Sequence, residues 1–138
     1  MSDPDRLVET AKWTRYAQED LAAARALTAN AAGVPRHVCW LAQQAAEKAI
    51  KAVLVYLQID FPRTHDLDAL RALLPDDWKT KTDPADLAEL TEWAVEARYP
   101  GDWADAVPED ARSALKASSV VCSMVESDFR RRGIMFDG

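Results

Sequence analysis

The sequence predicts an all-α fold, an up-and-down bundle of four long helices plus a short one, in a single domain covering residues 1–138. Three observations carry that expectation. Apolar residues recur at steps of three and four along most of the chain, the period of helices that bury one face. The best strand candidate, Val53-Leu54-Val55-Tyr56-Leu57, sits inside a longer segment of helical period, so length decides for helix. The 7 prolines punctuate the periodic segments, and only 4 glycines are present.

The first helix is expected over roughly 4–29, with Asp3 as cap and Pro4 in the first turn. Ala17, Leu21, Ala24 and Leu27 form its stripe. Gly33 and Pro35 end one helix and begin the next. The second helix carries Val38, Leu41, Ala42, Ala45, Ala46, Ala49, Ile50, Val53, Leu54 and Leu57 on one wide apolar face. Its alanines let a neighbouring helix approach closely. Phe61-Pro62-Arg63 breaks the chain, and Thr64 is the expected cap of a short helix with Leu67, Leu70 and Leu74 inside. Asp83-Pro84-Ala85-Asp86 reads as the start of a long helix bearing Leu87, Leu90, Ala94 and Ala97, stopped at Arg98-Tyr99-Pro100-Gly101. The last helix opens at Pro108-Glu109-Asp110 and runs through Ala111, Leu115, Ser118, Cys122, Val125 and Phe129. Arg130-Arg131-Arg132-Gly133 closes it, with cations at the negative helix end and glycine just beyond.

Composition narrows the function classes. With 49% hydrophobic and 29% charged residues, the chain is ordinarily globular rather than disordered or fibrous. No charge-free run approaches the ~18 apolar residues of a membrane span. The acidic start, Met1-Ser2-Asp3-Pro4-Asp5-Arg6, lacks the apolar core of a secretory leader, and the 2 cysteines make no disulfide framework; a cytoplasmic protein is expected. The formal charge of −6, from 23 acids against 17 Lys and Arg, argues against broad coating of nucleic acid. It leaves room for a small basic site on an acidic body.

No phosphate-binding glycine loop, no GxSxG elbow and no pair of histidines at metal-ligand spacing is present. His37 and His65 stand far from each other and from any cysteine, so neither a metal nor a cofactor is expected. Cys39 and Cys122 lie on or beside apolar stripes and read as small buried hydrophobes. Three features carry more chemistry. Gln44, Glu47, Lys48 and Lys51 share a helix stripe, which is either a solvated face or a basic and amide surface for a phosphate or a partner chain; the solvated face is the commoner case. Arg63-Thr64-His65 is either an anion-binding helix start or a plain cap with an exposed histidine. In Arg98-Tyr99-Pro100-Gly101-Asp102-Trp103, Arg98 can fork onto phosphate and Trp103 offers a stacking face; the alternative is a turn that ends a helix.

These elements also fit a known pattern. Ala17 with Asp20-Leu21, the run Gln43-Gln44-Ala45-Ala46-Glu47-Lys48-Ala49-Ile50-Lys51-Ala52, then Thr64-His65-Asp66-Leu67 and Arg98-Tyr99-Pro100, resemble the HEPN domain family in order and spacing, from about Trp13 to Phe129. The name abbreviates higher eukaryotes and prokaryotes nucleotide-binding. The resemblance implies a bundle of four or five helices that pairs as a homodimer. Many small bacterial members are encoded beside a minimal nucleotidyltransferase, as toxin–antitoxin or similar pairs. Active members are metal-independent ribonucleases with an arginine, four to six intervening residues and a histidine, two copies meeting across the dimer.

This chain departs from that last motif. Arg98 holds the arginine place, but the histidine positions carry Trp103, Ala104 and Asp105. Tyr99 is a poor substitute base, since an unperturbed phenol titrates near ~10. Asp102 can accept a proton but repels phosphate. In some relatives a tyrosine near the motif is adenylylated, which makes Tyr99 the counterpart here. The resulting expectation is a nucleotide- or RNA-binding protein that works with a nucleotidyltransferase. Lys48, Lys51, Arg63 and Arg98 would meet phosphate, with Tyr99, Asp102 and Trp103 beside the base. The alternatives are a metal-independent endoribonuclease toxin with Arg98 and a displaced His65 as its catalytic pair, or a pure protein-interaction module.

Overall fold

The computed structural model describes residues 3–30, 33–94, 101 and 104–136. Among them every regular element is helical: α1 (Asp3–Ala29), α2 (Pro35–Tyr56), α3 (Leu67–Arg71), α4 (Lys79–Thr82), α5 (Ala88–Thr91) and α6 (Pro108–Arg131). The long helices α1, α2 and α6 stand where the periodicity places them.

Helix α2 is the centre of the bundle. Its apolar stripe packs against α1 on one side and α6 on the other. Cys39, Ala42, Ala45, Ala46, Ile50, Ala52, Val53 and Leu54 are fully buried. The small alanines permit the close approach of α1, whose own buried residues are Thr10, Ala17, Leu21 and Ala24. Between these two helices Gly33 is required, because a Cβ there would overlap the Leu27 carbonyl. On α6 the buried positions are Ala111, Ala114, Ser118, Val121, Val125, Asp128 and Phe129. Leu115 and Cys122 of the expected seam are only half-buried, as the burying face turns slightly toward Ala114 and Val121.

The fourth long helix is corrected. Within the described residues, the segment opening at Asp83 is a four-residue helix, α5, followed by turns. Its two acids act locally: Asp83 accepts from the Ala85 N–H at 2.8 Å and Asp86 from the Ala88 N–H at 2.9 Å. Such side-chain turns compete with helix for the same backbone donors. Beyond Thr91, bonds from Trp93 to the Leu90 carbonyl and from Ala94 to the Thr91 carbonyl close three-residue turns instead of α-helical ones. Leu87, Leu90 and Ala94 still face the core, as their spacing implies. The short helix α3 also differs in its cap. Asp66, not Thr64, accepts from the Ala69 N–H at 3.2 Å, while the Thr64 hydroxyl accepts from Asp66 N–H.

Helix α4, which periodicity does not announce, is held by α6. The buried Asp128 carboxylate accepts from the Lys79 and Thr80 amides at 3.0 and 2.9 Å and from the Thr80 hydroxyl at 2.6 Å. Just before it, Trp78 is buried edge-on against Tyr56 and Phe129, with the Arg132 guanidinium 3.6 Å from its ring centroid.

Candidate functional site

Gln43, Glu47 and Lys51 are spaced by four residues, so one turn of α2 stacks each above the last. After α2 ends, the chain doubles back through Phe61-Pro62-Arg63-Thr64-His65 and crosses this stripe. The His65 ring then meets the stripe at its midpoint: Nδ1 lies 2.7 Å from Glu47 Oε1. Asp66 caps α3 immediately afterwards, and the Leu67 N–H donates to the Thr91 hydroxyl of α5 at 3.0 Å. The histidine is therefore pinned between α2, α3 and α5.

Glu47 is 4% exposed. Besides His65, it accepts from Gln43 Nε2 at 3.1 Å on Oε1 and from Lys51 Nζ at 2.9 Å on Oε2. Burial by itself raises a carboxyl pKa; the bonds from His65, Lys51 and Gln43, with the Lys51 charge, outweigh it and hold Glu47 below the usual carboxylate range. Lys51 is itself enclosed, its ammonium 5.4 Å from the Phe61 ring centroid and 6.0 Å from that of Trp13. Gln43, fully buried, also donates to the backbone carbonyl of His65 at 3.2 Å, and its own oxygen accepts from Gln44 Nε2 at 2.7 Å.

This overturns the solvated-face reading for Glu47 and Lys51. Periodicity could not reveal it, because the cover comes from a segment 18 residues away in sequence. The signal was the repeated polar step Gln43, Glu47, Lys51 on a helix otherwise so apolar. Lys48, on the neighbouring stripe, is bound to Asp20 of α1 at 2.6 Å. Both lysines expected to meet phosphate thus already hold carboxylates. Arg63 is different: it is exposed on the turn, with no ion pair among the described residues. Arg98, Tyr99, Asp102 and Trp103 lie outside the described residues.

The remaining candidates sit elsewhere. Cys39 is buried, and burial pushes the Cys122 thiol up to about 11, far from a reactive thiolate. Among the described residues no cluster of three or more His, Cys, Asp or Glu could hold a metal ion, and no helix is long and apolar enough to cross a membrane. A cavity of about 450 Å³ opens between α1, α6 and the 134–136 tail, lined by Leu21, Arg25, Ser119, Val125, Phe129 and Met135 among others. It contains neither His65 nor Arg63, Lys48 or Lys51. Convergent, oriented polar groups favour the Glu47–His65 corner over that cavity.

The HEPN domain family model matches residues 10–128, most of the chain. The fold is also similar to that in a crystal structure of ST0689, an archaeal HEPN homologue. That likeness has a TM-score of 0.62 and 23% identity, covering 86% of this chain and 95% of that one. A comparison with curated proteins finds no match.

Proposed function

The chain belongs to the HEPN domain family, and from that premise we propose that it binds nucleotide or RNA at the corner where residues 61–66 cross α2. The observation that carries the reading is the 2.7 Å contact between His65 and the buried Glu47 carboxylate, which holds a titratable ring in one orientation at the protein surface. Arg63, exposed two residues earlier and without an ion pair among the described residues, is a cation that can meet a phosphate. Arg98 supplies a second phosphate contact and Tyr99 or Trp103 a stacking surface, on the strength of the sequence pattern. Lys48 and Lys51, neutralised by Asp20 and Glu47, serve the architecture of the corner rather than the ligand.

The same proposal includes a homodimer, which brings two such corners together, and a nucleotidyltransferase partner in a toxin–antitoxin-like pair. The Arg98-Tyr99-Pro100 element supports the partner. Binding of RNA oligonucleotides and nucleotides should weaken at least tenfold in His65→Ala and in Arg98→Ala. Unchanged affinity in both variants would remove this corner from the function. The partner is tested by co-expression with a minimal nucleotidyltransferase. An AMP adduct on Tyr99, absent in Tyr99→Phe, is the expected product.

One observation favours a second reading. A carboxylate that orients an imidazole is the arrangement used by a histidine acting as general base. An endoribonuclease with Arg98 and His65 would cleave RNA in the presence of EDTA and lose that activity in His65→Ala. RNA left intact by the wild-type dimer excludes it.

A further inference from the structure

We propose that the cavity between α1 and α6 binds a single-chain amphiphile with one carboxylate, its head on Arg25 and its apolar body running toward Phe129. The site goes beyond the nucleotide or RNA reading and uses none of the residues placed at the His65 corner.

The cavity has two unlike ends. Arg6 donates to the Tyr56 carbonyl and Phe129 packs edge-on against the Tyr56 ring at one end of the bundle, whereas Arg25 meets Ser119 toward the other. Helices α1 and α6 therefore run antiparallel, and the cavity follows α6 from Ser119 to Phe129 for roughly 15 Å. A cation stands at the first end. Among the described residues the exposed Arg25 guanidinium donates to the Ser119 hydroxyl at 3.3 Å and has no ion pair. A neutral partner at that distance leaves most of its donors for an anion. The other two charged lining residues, Glu126 and Arg130, pair with each other, and burial keeps the Cys122 thiol neutral. The one uncompensated positive charge matches a carboxylate. A phosphate monoester, with a charge of about −1.5 to −2, would be left only partly balanced.

The opposite end is apolar and walled by the chain itself. Gly133, at a φ of 75°, turns the backbone out of α6, and the Ile134 N–H returns to the Phe129 carbonyl at 3.0 Å. Phe136 then stands edge-on to Phe129, with ring centroids 5.4 Å apart. Met135, between these two anchored residues, lines the same cavity while 78% exposed. An apolar side chain so exposed at a cavity mouth is stabilised by a hydrocarbon that covers it, and its flexible thioether adapts to the contact. Between the two ends the cavity is lined by Ala17, Leu21, Ala49 and Val125, none of which offers a side-chain hydrogen bond. That stretch suits a hydrocarbon chain, and the volume of about 450 Å³ is that of a small-molecule site.

Decanoate, kept below the concentration at which it self-associates, is the probe. Titration calorimetry should show one site on the wild-type chain, and decanol, the same chain without the charge, should bind about tenfold more weakly. Arg25→Gln should bring decanoate down to the affinity of decanol. Met135→Ser should weaken both ligands by about fivefold. Both substituted side chains are exposed, so neither variant threatens the fold. The Met135 methyl resonance should shift as decanoate is added. That of Met124, which lines a separate cavity on α6, should stay in place. Equal affinities for decanoate and decanol overturn the carboxylate site. So does a shift confined to Met124, or the absence of any binding as decanoate approaches millimolar concentration.

Discussion

Lys48 Nζ lies 2.6 Å from Asp20 Oδ2, and this pair ties α2 to α1 beside the Glu47–His65 corner. The two side chains are 27% and 21% exposed, so solvent screens part of their attraction. Lys48→Ala and Asp20→Ala should each cost about 1 kcal/mol in urea denaturation, near the upper end for partly exposed pairs. The double variant should cost less than the sum, by roughly 0.5 kcal/mol or more, as expected for residues in direct contact. Strictly additive losses would mean that the pair contributes nothing.

The buried Glu47 gives the chain a specific acid sensitivity. Its folded pKa is lowered, by the bonds from His65, Lys51 and Gln43 acting against burial, relative to the ordinary value of 4.5. A depressed carboxyl stabilises the fold above the unfolded pKa, and that contribution is lost as pH falls through the folded value. Glu47→Gln should therefore be less stable at pH 7 by about 1–3 kcal/mol, the range for disrupting a buried charged hydrogen bond. The gap to wild type should narrow as pH drops below about 4.3, where the unfolded carboxyl takes up its proton. Chemical denaturation across pH 3–7 reads this directly, and a constant gap over that range would contradict it.

What is legible in the sequence divides along the same line as local and distant contacts. The positions of α1, α2 and α6 follow from apolar steps such as Ala17, Leu21, Ala24 and Ala42, Ala46, Ala49, Val53, because a long helix must bury one face. Helix α4 is not legible, since its amides are satisfied by Asp128, 48 residues away from Thr80. The Asp83-Pro84-Ala85-Asp86 segment carries every mark of a helix start, yet both acids cap turns on their own backbone. At the candidate site, His65 could be singled out by residue type, but its partner could not. Glu47 looks like half of an exposed i,i+4 pair with Lys51 until the 61–66 turn covers it.

The end of α2 offers a stabilising substitution. Gln58 adopts a φ of 56°, the left-handed conformation that favours glycine. It does so because the helix closes with paired bonds, from Ile59 N–H to the Leu54 carbonyl at 2.9 Å and from Gln58 N–H to the Val55 carbonyl at 3.1 Å. Helix α6 ends in the same way with Gly133 at φ 75°. Gln58→Gly relieves the Cβ clash but loosens the unfolded chain, so a net gain of roughly 0.5–1 kcal/mol is expected. Gln58→Val should lose about 1 kcal/mol or more, since a β-branched residue fits this conformation poorly. The midpoints of urea unfolding rank the three chains, and the order glycine, glutamine, valine is the one expected.

Asp128 of α6 holds α4 in place. Its carboxylate is fully buried and accepts from two backbone amides and one hydroxyl of α4, while the Arg131 guanidinium pairs with it from the next turn of α6. Asp128→Ala leaves those donors without a partner in a place water reaches poorly. A loss of about 3–5 kcal/mol follows from breaking a buried charged network on one side. Thr80→Ala removes one hydroxyl bond and keeps the amides satisfied, so it should cost only about 1 kcal/mol. The double variant should be scarcely worse than Asp128→Ala alone, because the threonine hydroxyl has nothing left to bond. Trp78 directly precedes α4, so near-ultraviolet circular dichroism should also change in Asp128→Ala and hardly at all in Thr80→Ala. Equal losses in the two single variants would mean that α4 is held by its apolar neighbours rather than by the α6 carboxylate.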